Sequence, residues 1–238
     1  MKNMFFLDFD GVLFNTVKEA YAIAVITNKL YSNFDQIKFD TEHYQRFKKY
    51  RYLISPAWNY KYLLEVLEER NDNIENSFIQ KINQALKKDY IQFENDFFDT
   101  RNEIKKNDYN KWLKLNIPFE FLEKVKYMFD SKYKTYIVTT KDRKTVLDLL
   151  NIEGILFDKN KIYDKDDYSK YGSKKAIIET LKLNNYGLFI DDSSKHIKEC
   201  SQIDKLQCYQ PNWGYVKDKK NTVDMDIILK TINKLKGV

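Results

Sequence analysis

The chain has 238 residues, 43% of them hydrophobic and 16% aromatic, with a formal net charge of +6; this suffices for one sizeable α/β domain or a core with a smaller unit, and excludes a scaffold that depends on staples. Two cysteines, Cys200 and Cys208, fit neither a disulfide framework nor a zinc pattern, the apolar segment Met4 to Leu7 is too short for a signal peptide, and no run is long enough to span a membrane, so the expectation is a cytoplasmic protein with no membrane partner. The positive charge is nearly all lysine, scattered among acids, with five arginines (Arg46, Arg51, Arg70, Arg101, Arg143), a pattern that reads as a solvated surface and not a nucleic-acid face.

The first element is the run FFLDFDGVLFNT, residues 5–16. Phe5, Phe6 and Leu7 form a short apolar stretch of the kind found in a central parallel strand, and in such sheets ligands bind at the carboxyl ends of the strands. In an extended chain residues two apart lie on the same side, so Asp8 and Asp10 are neighbours there. Two carboxylates that close repel unless a cation or a shared proton relieves them, which points to a metal site or an acid/base pair; Asp10-Gly11 is equally readable as a hairpin turn with Asp8 solvated beside it.

Residues 17–113 carry helical spacing, in VKEAYAIAVITNKL, PAWNYKYLLEVLEERN and ENSFIQKINQALKKDYIQFENDFFDTRNEIKK, with no strand pattern between them. Pro118 is placed as a first helical residue ahead of the amphipathic FEFLEKVKYMF, and KTYIVTT is a β-branched strand. Strand and helix signals then alternate: GILFDK, SKKAIIETLKL, YGLFIDD, a helix through HIKECSQI, LQCYQ, and a helix from Thr222 to about Lys234. The expected fold is α/β, a Rossmann-like three-layer core with a parallel sheet, built from residues 1–16 and 118–238, into which residues 17–117 are inserted as an α-helical unit.

Each strand end carries polar groups. KTYIVTT ends in Thr139 and Thr140, hydroxyls able to donate to a phosphoryl oxygen. Lys174 sits just inside a helix start with Ser173 as its cap, which adds a mobile cation to an anion-favouring terminus. YGLFIDD ends in Asp191 and Asp192, a second acidic pair whose hard oxygens suit magnesium.

In that order the residues resemble the haloacid dehalogenase superfamily of phosphohydrolases, through LDFDGVLFNT, IVTT, Lys174 and FIDDSSKHI, over residues 1–16 and 118–216; NWGY, residues 212–215, resembles a stretch that often follows the last core strand in that superfamily. The resemblance implies a phosphatase with Asp8 as nucleophile and Asp10 as general acid and base, since a true dehalogenase needs no acid at that position. It further implies that Thr139, Thr140 and Lys174, with Asp8, hold the substrate phosphate. Lys174 is preferred over Lys175 because Ile178 and Leu181 then repeat the family's apolar spacing.

By the same resemblance Mg2+ is bound by the Asp8 carboxylate, the Asp10 carbonyl and Asp192, with Asp191 as a second ligand or outer support. The chain departs from the commonest pattern at Asp191, where glycine is usual, at His196, where a later aspartate is usual, and at Val12 and Asn15. His196 is read as a helix residue, because a hard oxygen site suits magnesium better than imidazole does. The helical insertion resembles a cap that restricts access to a small phosphorylated metabolite, with Arg46, Arg51, Tyr52 or Trp58 as specificity residues. A phosphomutase on the same core, or a non-catalytic nucleic-acid- or protein-binding module that keeps the fold, are the alternatives.

Overall fold

Phe5, Phe6 and Leu7 lie within β1 (Met4–Leu7), whose four residues are all buried. In this computed structural model, which describes residues 3–69, 73–182 and 184–236, β1 is the middle strand of a five-stranded parallel sheet. Residues 70 and 71, Leu183 and the outermost two residues at each terminus, to which helical or core positions are assigned above, lie outside the described residues. β2 (Phe14–Asn15) and β3 (Ile117–Pro118) form a short antiparallel pair, with Asn15 opposite Ile117. The sheet continues with β4 (Lys134–Val138), β5 (Ile162–Tyr163), β6 (Gly187–Ile190) and β7 (Leu206–Tyr209), in the order β5-β4-β1-β6-β7. Burial on both faces is why β1 and β6 read as unbroken apolar runs and not as alternations. One of those faces packs Phe6, Val138 and Phe189 against Ile177, Ile178 and Cys200 from the helices Lys174–Lys182 and Ser194–Cys200.

The register sets the level of the strand ends. Leu7 pairs with Ile137 on one side and Ile190 on the other, so Asp8 and Asp191 leave the sheet side by side and Thr139 follows one residue beyond.

Four expectations change. GILFDK forms no strand: Ile155 and Phe157 are buried and Leu156 is 88% exposed, the alternation of an extended segment, yet it has no ladder partner. Asp158 caps a turn over Lys159–Lys161 by accepting from the Asn160 N–H, and the ladder begins only beyond it, at β5. Pro118 is not a first helical residue, because pairing with residues 13–15 draws Pro118 and Phe119 into extended backbone and the helix starts at Glu120. The helical stretch 75–106 is two helices, Ile74–Gln84 and Lys87–Asn107, broken at extended Ala85 and Leu86 without a local glycine or proline. The last helix is Met225–Lys236, later than the span from Thr222. A helix that the periodicity does not mark, Lys165–Tyr171, is set by local chemistry: Asp164 and Asp167 form a capping box and Gly172 ends it at φ 80°, in the left-handed region.

The chain divides into two compact units, Met1–Asn15 with Ile117–Val238, and Thr16–Asn116. The second is helical, beginning with Val17–Thr27, and its interior carries a charge: Glu19, fully buried, accepts from Arg101 Nε at 2.7 Å and from Trp112 Nε1 at 3.1 Å. Among the described residues no helix is long and apolar enough to cross a membrane. Both cysteines are free thiols, and burial pushes Cys208 up to about 12.

Glu19→Ala takes the carboxylate from a guanidinium that is 4% exposed. The expected loss is about 3–5 kcal/mol, as for one partner removed from a buried ion pair. The urea midpoint, followed by circular dichroism, measures it, and a loss under about 1 kcal/mol would show that Arg101 does not depend on Glu19.

Candidate active site

Each side chain at the sheet edge is placed by a backbone that is already paired. The Asp8 N–H extends the ladder to the Ile190 carbonyl at 2.9 Å, and Asp191 N–H does the same to Tyr209 at 3.2 Å. Asp8 Oδ1 accepts from the Phe9 N–H at 2.7 Å and lies 2.9 Å from Lys174 Nζ. Asp8 Oδ2 makes no hydrogen bond among the described residues. Lys174 begins the helix Lys174–Lys182, where Ser173 Oγ accepts from the Ala176 N–H, and its fully buried ammonium also donates to Asp191 Oδ2 at 2.7 Å.

Asp191 is held on every side. Its Oδ1 accepts from the Ser193 N–H at 2.8 Å, and His196 Nδ1 lies 3.1 Å from Oδ2, so the imidazole N–H donates to a carboxylate that can only accept. Asp192 is held by a different segment: Tyr215 N–H donates to its Oδ2 at 2.8 Å and Gln210 to its carbonyl at 2.7 Å. Two glycines let the backbone close around it. A Cβ on Gly11, whose φ of 80° is left-handed, would stand 2.0 Å from Asp192 Oδ2, and one on Gly214 2.5 Å from Asp192 Cβ. NWGY thus works as a clamp, with Trp213 Nε1 donating to the Val12 carbonyl and the Tyr215 hydroxyl to Asn15.

On the other side of β1, Thr139 is buried and its Oγ1 accepts from the Lys141 N–H at 3.2 Å. A hydroxyl that accepts from the backbone keeps its own proton to donate, and among the described residues Thr139 donates it to no one. Thr140 is half-buried beside it. Lys141, absent from the sequence-level candidates, is 2% exposed with its Nζ 3.3 Å from Asp10 Oδ1. The signal for it was a lysine directly after the two threonines, hidden in a chain rich in lysine.

Crowding is visible in the electrostatics. Burial pushes the Asp8 carboxyl up to about 6, against the opposing pull of Lys174. Burial also works to raise Asp191, but Lys174 and His196 outweigh it and hold that carboxyl well below the usual range. Lys174 is driven the other way by burial, yet Asp191 and Asp8 keep its ammonium above the ordinary value.

Asp8, Asp191 and Asp192 each offer an oxygen within 4.8 Å of the others, and all three are buried. With Asp10 this makes four carboxylates against two ammoniums, Lys174 and Lys141, an excess of two negative charges that a divalent cation would cancel. The donors are hard oxygens, so the residues fit magnesium.

Asp8, Thr139, Lys174, Asp191 and Asp192 thus meet at one edge, and Asp10 borders them through Lys141. The specificity candidates of the insertion are engaged within the helical unit: Arg46 donates to the Leu67 carbonyl, Arg51 to the Ile54 carbonyl, the Tyr52 hydroxyl to Glu75, and Trp58 stacks on Tyr90. That unit holds a cleft of about 380 Å³ lined by Phe34, Asp35, Glu103 and Lys111 among others, and none of those four candidates lines it.

Solved structures share this architecture along nearly the whole chain. A haloacid dehalogenase-like family hydrolase from Streptococcus pneumoniae is 15% identical, with 97% of this chain and 98% of that one covered at a TM-score of 0.61. A protein described as a predicted phosphatase from Clostridium acetobutylicum is 16% identical (98% and 99% covered, TM-score 0.59). One described as a predicted phosphoglycolate phosphatase from Haemophilus somnus 129pt is 18% identical (97% and 98% covered, TM-score 0.59). No protein-family model and no curated protein sequence matches the chain. The fold is that of the haloacid dehalogenase-like hydrolases.

The electrostatics carry a stability prediction. A carboxyl whose folded pKa is raised from 3.8 to about 6 is stabilised by the fold as the neutral acid, so its contribution falls as pH rises through that window. In metal-stripped protein at pH 7, Asp8→Asn is therefore expected to stabilise the fold by roughly 2–3 kcal/mol, and the gain should vanish near pH 3.5. Urea titrations at the two pH values measure this, and a destabilised Asp8→Asn at pH 7 would refute it.

Proposed function

We propose that this chain is a magnesium-dependent phosphomonoesterase that transfers the phosphoryl group of a small metabolite to Asp8 and then to water. The carrying observation is the asymmetry of the Asp8 carboxylate, with Oδ1 held by the Phe9 N–H and Lys174 while Oδ2 is unengaged among the described residues. Such a carboxylate is oriented but has one oxygen open to attack phosphorus. The named activities of the structural neighbours, hydrolase and phosphatase, support the same reading.

In this reading Asp8 Oδ2 forms a bond to phosphorus as the bond to the leaving oxygen breaks, and Asp10 gives that oxygen a proton. Asp10 then takes a proton from water as the water oxygen attacks phosphorus, which frees inorganic phosphate and restores the Asp8 carboxylate. Proton transfer of this kind contributes about 10²–10⁴ in rate. Thr139 and Thr140 donate to the phosphoryl oxygens, and Lys174 holds nucleophile and phosphate together. Asp8, Asp192 and the Asp10 carbonyl would hold Mg2+, which supplies charge neutralisation on the phosphoryl oxygens when bound. Asp191 is the weaker ligand candidate, since Lys174, His196 and the Ser193 N–H already engage its oxygens.

The helical unit, Thr16–Asn116, acts as a cap that excludes water and admits a sugar-, polyol- or amino-alcohol-phosphate in preference to a phosphate in a polymer. Neither nucleic acid nor membrane is a partner in this reading, and the compartment is the cytoplasm.

Asp8→Asn should leave a folded protein without turnover on any phosphorylated sugar, polyol, amino alcohol or nucleotide, with released phosphate as the readout. Activity above trace level in protein free of wild-type contamination would sink the assignment of the nucleophile.

The two aspartates of the second acidic pair should separate in a magnesium titration. Asp192→Ala is expected to raise the half-saturating magnesium concentration by at least about tenfold. Asp191→Ala should lower kcat through Lys174 with a shift under about threefold; equal shifts would make Asp191 a full ligand.

A further inference from the structure

Lys141 is a buried lysine that the site described above leaves without a role. It stands in the short segment between β4 and the helix Arg143–Ile152. There it is 2% exposed, and removing an ammonium from water costs several kcal/mol unless a counter-charge meets it. The carboxylate it meets is Asp10, with Nζ 3.3 Å from Oδ1.

The approach is that of an ion pair and not of a directed hydrogen bond. Asp10 Oδ1 is buried and accepts no hydrogen bond among the described residues. Its backbone, meanwhile, is committed to the turn that follows, with an isolated bridge from Asp10 to Phe14 and the Gly11 N–H donating to the Phe14 carbonyl at 2.8 Å. The Asp10 side chain therefore hangs from a fixed backbone, and Lys141 is a cation that meets one of its oxygens.

The lysine stem is itself fixed. Lys141 N–H donates to Thr139 Oγ1, its carbonyl accepts from the Lys165 N–H at 3.3 Å, and Asp142, next in the chain, caps the following helix through the Thr145 N–H at 2.8 Å. Arg143 then binds the Ile162 carbonyl and Asp167, which ties the start of that helix to β5 and the helix after it.

We infer that Lys141 is the positioning residue of the proton-transfer carboxylate: it binds Asp10 Oδ1 and so presents Oδ2 for giving up and taking back the proton. The inference rests on the phosphatase reading. It separates Lys141 from Lys174, which lies on Asp8 and Asp191, and gives each of the two aspartates two residues apart its own ammonium.

Leaving groups of different basicity test it. An alkoxide leaves poorly without a proton, whereas p-nitrophenolate leaves as the anion, so a residue that acts through Asp10 matters to alkyl esters and little to the aryl ester. The comparison is kcat/KM of wild type, Lys141→Met, Lys141→Arg and Asp10→Asn on p-nitrophenyl phosphate and on the best alkyl substrate among glycerol, sorbitol and ethanolamine phosphates. Lys141→Met is expected to lose about 100-fold or more on the alkyl ester and under tenfold on the aryl ester, as Asp10→Asn does. Lys141→Arg should recover most of the alkyl activity, and the double variant Lys141→Met with Asp10→Asn should lose no more than Asp10→Asn alone.

Equal losses on both esters would overturn the inference and make Lys141 a phosphate-binding or purely structural group; no loss would overturn it as well. A wild type that hydrolyses only the aryl ester leaves proton donation without a role and likewise refutes it. A wild type that hydrolyses neither ester refutes the phosphatase reading itself. Should Lys141→Met not fold, Lys141→Gln carries the same comparison.

Discussion

Carboxylates crowd one sheet edge because the strand register brings Asp8 and Asp191 out side by side, with Asp192 and Asp10 close to them in the chain. β1 and β6 pair with Leu7 opposite Ile190, so the acidic residues that follow each strand emerge together. Two unit charges about 4 Å apart interact by about 4 kcal/mol at the effective dielectric of a protein near its surface, and burial makes the repulsion harder to screen. The surrounding features answer that repulsion. Lys174 lies between Asp8 and Asp191, Lys141 faces Asp10, and backbone N–H groups of Phe9, Ser193 and Tyr215 each point at one carboxylate oxygen. An excess of two negative charges remains, which a divalent cation would cancel.

The same repulsion explains why the carboxyls of Asp8 and Asp191, adjacent and both buried, are shifted in opposite directions. Lys174 reaches both, but Asp191 also has His196 and the Ser193 N–H, so the favourable field concentrates there and Asp8 is left destabilised as an anion. A destabilised carboxylate is a more reactive one. The arrangement sacrifices stability at Asp8, and retains it in Asp191, two strands' width from the threonines that would receive the phosphate.

Much of this was readable from residue order. The apolar run before Asp8, the β-branched run before Thr139 and the apolar run before Asp191 each mark a strand whose end must be polar, and all three are strands. What escaped depends on interactions between distant residues. GILFDK has the composition of a strand, but the Asp158 turn denies it a neighbour, and Pro118 reads as a helix start only if its pairing with Phe14 is unknown. Lys141 is marked only by following two threonines in a chain rich in lysine, since its pairing depends on where Asp10 sits across the strand pair, and His196 is a helix residue whose contact with Asp191 no spacing in the helix announces. The role of NWGY as a clamp on Asp192 likewise requires residues about twenty positions apart to meet.

The pairing of Asn15 with Ile117 has a consequence for how such a chain can change. The two points at which residues 16–116 depart from and rejoin the core are cross-strand neighbours, so topologically the sheet meets the whole insertion as a hairpin loop. Closing a longer loop is entropically cheap, about 0.6 kcal/mol for each doubling of length, and a folded insert supplies its own cohesion. An element of different length or fold could therefore be exchanged between β2 and β3 with the five-stranded register and its acidic edge intact. The insertion and the acidic edge are separable inheritances in this architecture, joined at a two-residue ladder.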